Sequence, residues 1–283
     1  LEPGLANAKK YEPILQSEHL RFAGLKMITD GVCEGHTGFL TEPYADDPTT
    51  CGESAVPRDE LYQMVEEADA HGWSVRLHAI GNAAVKQALD IFEEVQKKQG
   101  NKGLRNAIEH IESCCPEDIE RFAKLGVVPS MQPIHSVLNV DGYPKLLGEK
   151  WRPYMWPVKS LIDAHAIPAF GTDAPVWNLN PMEGIYAALT RKQPWDGYPE
   201  GGFVPEQRIS LGEALQGYTY GAARLENFED RIGTLHAGKL ADVVIMDRNL
   251  FAATPEEILK ASPLYTFIDG KVVYKADDAA LEQ

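Results

Sequence analysis

Four polar side chains, those of Lys26, His78, His110 and Asp173, can converge at the ends of short apolar segments of this chain. In SVRLHA (74–79), Val75 and Leu77 share one face of an extended strand, while Arg76 and His78 share the other. By the same period of two, Lys26, Ile28 and Asp30 share a face of LKMITDG, and Asn106, Ile108 and His110 share a face of NAIEHI. Ala169, Gly171 and Asp173 do so in AFGTDAP. If helices cover the Val75/Leu77 face, His78 points inward at a strand end, and Lys26, His110 and Asp173 take equivalent places on other strands. Two imidazoles and a carboxylate are ordinary ligands for zinc and related metals. A divalent metal held there lowers the pKa of bound water and polarises a carbonyl, which is the chemistry of hydrolysis.

Alternating strands and helices must position these residues. Strands are expected at 20–30, 74–79, 106–111, 127–131 and 167–172. Between them lie helices from Pro57 to Gly72, from about Asn82 to Gly100, from Pro116 to Gly126, near 158–165, near 181–191 and near 210–224. Leu61, Met64, Val65 and Ala68, and then Val85, Ala88, Leu89, Phe92 and Val95, recur at helical spacing. Segments 32–56 and 132–157 read as long loops, the second rich in aromatics. Such β–α alternation builds parallel strands with covering helices. Five strands fall before residue 175, where a closed (β/α)₈ barrel uses eight. From about residue 231 the pattern changes to short apolar strands with glycine turns. The expected organisation is an α/β barrel portion over 1–230 and part of a small β unit over 231–283.

Composition bounds the partners. The chain has 283 residues, of which 44% are hydrophobic and 24% charged, an ordinary globular balance. The 27 basic against 42 acidic residues give a net charge of −15. That charge argues against a nucleic-acid backbone or an anionic membrane surface, both of which need a basic face. No apolar stretch approaches the roughly 20 residues of a membrane span. The four cysteines (Cys33, Cys51, Cys114 and Cys115) form no CxxC pair and no disulfide framework, so they read as reduced thiols and the expected compartment is the cytoplasm.

Taken together, GLKMITDG (24–31), LHAIGNAAV (77–85), IEHIE (108–112), SMQPIH (130–135), GTDAPV (171–176) and IGTLHAGKLADVVIMD (232–247) resemble the metal-dependent amidohydrolase superfamily. Within it they are most similar to the amidohydrolase-3 branch, which includes N-substituted formamide deformylase-like proteins. The resemblance implies a distorted (β/α)₈ barrel with a β-sandwich built from both chain ends. It implies cleavage of an amide, formamide or similar C–N bond in a small molecule, with one or two divalent ions, zinc first among them. His78 and His110 match metal ligands of the fifth and sixth strands. Asp173 matches the eighth-strand aspartate, both ligand and proton acceptor. Lys26 matches a lysine that can be carboxylated to bridge two metals.

His135, in Gln132-Pro133-Ile134-His135, follows a strand and is a candidate for substrate contact. Trp151, Trp156 and Trp177 could wall an apolar pocket. Glu109, at opposite parity to His110, reads as a packing or ion-pair residue, and Asp242 as a turn residue. His19, His71, His165 and His236 read as surface or helix-end residues. A related deaminase would place Glu three residues after the fifth-strand His; that place here is Gly81. The family's first strand carries a His-x-His pair, and no two of the eight histidines here are two apart. The chain is therefore expected to carry the second half of a metal site and to associate with an N-terminal part or with another copy of itself. The rival expectation is a non-catalytic fold or binding half that holds no metal.

Overall fold

The computed structural model describes residues 2–15, 17 and 20–277. His19 lies outside the described residues. The chain divides into two compact units, one comprising 1–131 with 139–168, the other 132–138 with 169–283.

The first unit begins with α1 (Glu2–Tyr11) and then β1 (Leu25–Ile28), α2 (Arg58–Ala70), β2 (Val75–Ala79) and α3 (Asn82–Gln99). β3 (Ala107–His110), α4 (Ile119–Leu125), β4 (Val128–Met131), α5 (Tyr143–Leu147) and α6 (Val158–Asp163) complete it. Strands β1 to β4 pair in sequence order, all parallel. β2 shows why the sequence pattern works: Val75, Leu77 and Ala79 are buried, whereas Arg76 and His78 are half-buried. Helices α2 and α3 pack together and against β2. The α3 face carries Val85, Ala88, Leu89, Ile91 and Phe92, all fully buried. Each large apolar side chain removed from water there contributes roughly 1.5–3 kcal/mol.

β1 is shorter than the expected 20–30 segment. Gly24 has φ +136°, and a Cβ there would stand 2.1 Å from the Ser74 carbonyl oxygen, so the strand begins only after this close approach. The 132–157 segment is not a plain loop. It contains 3₁₀ turns at Pro133–Val137 and Glu149–Tyr154 with α5 between them. Proline at the start of the first turn and within the first turn of α5 supplies the required φ without a donor to satisfy.

The second unit holds the Pro133–Val137 turn, β5 (Ala169–Phe170), α7 (Pro181–Thr190), α8 (Leu211–Gln216), α9 (Ala222–Leu225), β6 (Val243–Met246), α10 (Pro255–Leu259), β7 (Pro263–Ile268) and β8 (Lys271–Lys275). The single helix expected at 210–224 is interrupted by a π-helical turn, Gly217–Gly221. Gly217 permits this turn against Phe170, because a Cβ would meet that ring at 2.3 Å. β6, β7 and β8 form an antiparallel sheet in sequence order. Helix α10 lies between β6 and β7, so this part of the chain is not strands alone. Asp242, read as a turn residue, instead accepts a hydrogen bond of 2.8 Å from the Asp269 amide and so ties the start of β6 to the β7–β8 connection.

Candidate metal centre

In the first unit the parallel register places Lys26 beside Arg76 and Ile28 beside His78. Lys26 and His78 therefore share a sheet face, with the Lys26 side chain exposed. Two residues of strand separate their levels, about 6.6 Å along the strand direction.

His110 reaches this face by a route that strand parity does not give. β3 pairs with β2 so that Ile108 lies beside Leu77, Glu109 beside His78, and His110 beside Ala79. Simple alternation would thus put Glu109 on the His78 face and His110 under the helices, the reverse of the expected assignment. The backbone corrects the aim of His110 at the strand end. His110 has φ +78° and Ile111 φ +52°. The Ile111 amide donates to the Glu109 carbonyl at 3.2 Å, which makes His110 the centre of a γ-turn. That turn with positive φ is rare and strained, and a β-branched residue at positive φ is an outlier in its own right. Such departures cost of order 1–3 kcal/mol each and gather at functional sites. The Ile111 amide also reaches the Ala79 carbonyl at 3.1 Å, and the Ser113 amide reaches that of Ile80 at 3.1 Å. The outcome is a T-shaped pair of imidazoles, with the His78 and His110 centroids 4.5 Å apart. Glu112, two residues on, is buried and accepts the Tyr143 hydroxyl.

Asp30, which shares the Lys26 face by parity, holds a larger role than its sequence position announced. It is fully buried. One carboxylate oxygen accepts from the amides of Phe39 (2.8 Å) and Gly81 (2.9 Å), and the other from that of Ile80 (3.0 Å). His78 Nε2 stands 3.7 Å from that second oxygen and 3.2 Å from the Gly31 carbonyl. Burial raises the Asp30 carboxyl above the ordinary carboxylate value, against the three amides and His78, which favour the charged form. The only advance signal was an Asp-Gly pair at a strand end.

Gly81 explains why a glutamate cannot occupy its place here. A Cβ there would stand 2.0 Å from the Phe39 carbonyl oxygen. That same carbonyl accepts from the Ala83 and Ala84 amides at 3.0 and 3.3 Å, so it satisfies the first turn of α3, which has no side-chain cap.

Of the tryptophans in this unit, Trp156 is buried against Tyr143 at 4.5 Å, and Trp151 lies edge-on to Tyr154 at 6.5 Å. Cys33, Cys114 and Cys115 are buried, and burial pushes all three thiols up, Cys115 to about 11. Such thiols stay protonated and do not serve as nucleophiles.

In the second unit, Asp173 lies three residues beyond β5, exposed, with φ +58°. Its carbonyl accepts from the Val176 amide at 2.8 Å, so the chain turns just beyond the expected 167–172 strand, of which β5 keeps Ala169–Phe170. His135 is buried in the turn after β4. His135 and Asp173 each offer a ligand atom within 4.8 Å of the other's. The expected substrate contact thus sits beside the expected proton acceptor. Trp177 stacks at a tilt on Trp195, centroids 5.8 Å apart, and its indole donates to Glu183 at 2.6 Å.

Comparison with known proteins adds to this geometry. Residues 5–274 match the Amidohydro_3 model, described as amidohydrolase family. The chain is 33% identical to Protein LONG AFTER FAR-RED 3 of Arabidopsis thaliana, over 95% of this chain and 46% of that protein. It is 25% identical to N-substituted formamide deformylase of Arthrobacter pascens, over 80% of this chain and 41% of that protein. A crystal structure of an uncharacterized metal-dependent hydrolase from Pyrococcus horikoshii OT3 superposes with a TM-score of 0.76 at 31% identity, covering 89% of this chain and 49% of that one. The chain spans a little under half the length of these curated relatives.

Proposed function

The chain belongs to the amidohydrolase family, and on that footing we propose that it carries part of the active centre of a metal-dependent hydrolase that cleaves an amide, formamide or similar non-peptide C–N bond. The observation that carries this reading is the His78–His110 pair, drawn together at adjacent strand ends by a strained turn.

The residues fit a divalent ion. His78 turns Nε2 toward a carbonyl, which leaves Nδ1 as its ligand nitrogen. The donor set of Lys26, His78, His110 and Asp173, two imidazoles with oxygen donors once Lys26 is carboxylated, suits zinc, as one or two ions. Carboxylation needs a neutral amine, which nearby cations favour. When bound, the metal lowers the pKa of water and polarises the substrate carbonyl. Asp173 accepts a proton from the attacking water and returns it to the leaving nitrogen. His135, beside Asp173, contacts the substrate.

The parallel strands are read as part of a (β/α)₈ barrel within 1–230, and β6–β8 as part of a β-sandwich within 231–283. Exposed apolar residues at Ile28 on β1 and at Val272 and Val273 on β8 support association with the remaining barrel and sandwich strands, from an N-terminal part or a second copy. No helix among the described residues is long and apolar enough to cross a membrane; buried reduced thiols fit a cytoplasmic setting. The substrate is a small molecule, and the charge of −15 disfavours nucleic acid.

The test is hydrolysis of N-substituted formamides and simple amides by the intact enzyme as isolated, after chelator treatment, and after Zn(II) is restored. Activity lost on stripping and regained with Zn(II) supports the reading. Activity indifferent to the metal refutes it.

A further inference from the structure

We infer that Asp30 is a positioning residue that fixes the tautomer and aim of the His78 ring. The inference rests on the reading of His78 as a metal ligand, and it concerns how this chain prepares that ligand before any metal arrives.

Four groups converge on one buried side chain. The amides of Phe39, Ile80 and Gly81 donate to the Asp30 carboxylate, and His78 Nε2 lies 3.7 Å from Oδ1. Three of these groups can only donate. A carboxylate is the one side chain of this size that accepts in every direction. Asn in its place would turn an NH₂ against at least one of the amides.

The His78 ring is also held from a second side. Its Nε2 is 3.2 Å from the Gly31 carbonyl, and a carbonyl only accepts. This contact favours the proton on Nε2, and in the neutral ring Nδ1 then keeps its lone pair. The aim of Gly31 is itself fixed. The Gly31 amide donates to the Thr37 carbonyl at 2.9 Å, and the Thr37 hydroxyl accepts from the Val32 amide at 3.0 Å. The Thr29 amide donates to the His78 carbonyl at 2.9 Å. Residues 29–31 and 78–81 are thus joined reciprocally: backbone to backbone, carboxylate to amides, ring to carbonyl. The Asp30 carboxylate oxygen beside Nε2 favours the tautomer that carries its proton on that nitrogen. A carboxylate or carbonyl behind a ligating imidazole sets its tautomer and raises its affinity.

The experiment is nitrogen NMR on the metal-free chain labelled with ¹⁵N-histidine, at a pH where imidazole is neutral, with His78 assigned from the spectrum of His78→Gln. Zn(II) titration of the same samples is the second readout. The wild type is expected to show His78 as the Nε2–H tautomer. In Asp30→Asn, with its fold checked by circular dichroism, His78 is expected to populate both tautomers, and Zn(II) binding to weaken about 10- to 100-fold. A wild-type His78 carrying its proton on Nδ1 overturns the inference, and this holds even if Asp30→Asn does not fold. So does a folded Asp30→Asn with the wild-type tautomer and the wild-type Zn(II) affinity. If His78→Gln binds Zn(II) as the wild type does, the ligand reading of His78 fails, while the tautomer spectra still decide the role of Asp30.

Discussion

The His78 and His110 rings meet edge-to-face at 4.5 Å although the β2–β3 register sets His110 beside Ala79, on the other side of the sheet. The γ-turn at His110 reconciles the two facts. Its positive φ takes the last residue of β3 out of the strand's alternation. A buried sheet gains nothing in stability from this strain, and its place at the end of a strand is where an α/β fold presents its chemistry.

In the intact enzyme, His78→Ala, His110→Ala and Asp173→Asn are each expected to lower hydrolysis of a formamide or amide substrate by at least about 10²-fold, the lower bound for loss of a general base. Steady-state kcat/KM of each variant, with far-UV circular dichroism confirming the fold, is the check. Near wild-type activity in any one of them removes that residue from the mechanism.

Lys26→Arg keeps the positive charge but cannot form a carbamate. If Lys26 bridges two metals, the variant is expected to lose at least one of two bound ions, as read by elemental analysis, and the wild type to show the added mass of a carbamate in a native spectrum. Unchanged metal content would reject the bridging role while leaving His78, His110 and Asp173 in place.

Gly81→Ala forces a Cβ to within 2.0 Å of the Phe39 carbonyl oxygen, backbone that cannot swing aside without releasing Ala83 and Ala84. A loss of about 1–3 kcal/mol is expected, the usual cost of overpacking. Urea denaturation measures it; an unchanged midpoint contradicts the close approach.

The buried thiols give a pH dependence of definite sign. Folding raises Cys115 from the ordinary 9.0 to about 11, chiefly through desolvation. The folded chain then holds a proton that the unfolded chain releases. Its contribution is complete below the unfolded thiol pKa and is lost as the pH climbs from about 9 toward 11. Cys115→Ser is expected to flatten stability against pH in that window, by thermal melting. Cys33 and Cys114 are expected to resist alkylation until the chain unfolds; rapid labelling of the native protein would contradict their burial.

Much of the fold was readable from periodicity. The apolar spacing of Val85, Ala88, Leu89 and Phe92 placed α3, and the alternation in SVRLHA placed the faces of β2, because each pattern is written over several residues. His110 lies beside His78 for a reason that parity does not give, because parity cannot register a single residue at positive φ. Asp30 was seen only as a neighbour of Lys26. Its partners are backbone amides of Phe39, Ile80 and Gly81, and no side-chain pattern encodes an amide. The 3₁₀ turns and α5 within 132–157 escaped notice because each is a turn or two long, too short to show a period.

The most direct measurement is metal retention. The wild type and the triple variant His78→Ala/His110→Ala/Asp173→Asn are loaded with Zn(II), dialysed and analysed for bound zinc. The wild type is expected to keep its ion or ions and the triple variant to lose them. Equal zinc in the two would show that these three side chains do not form the metal centre.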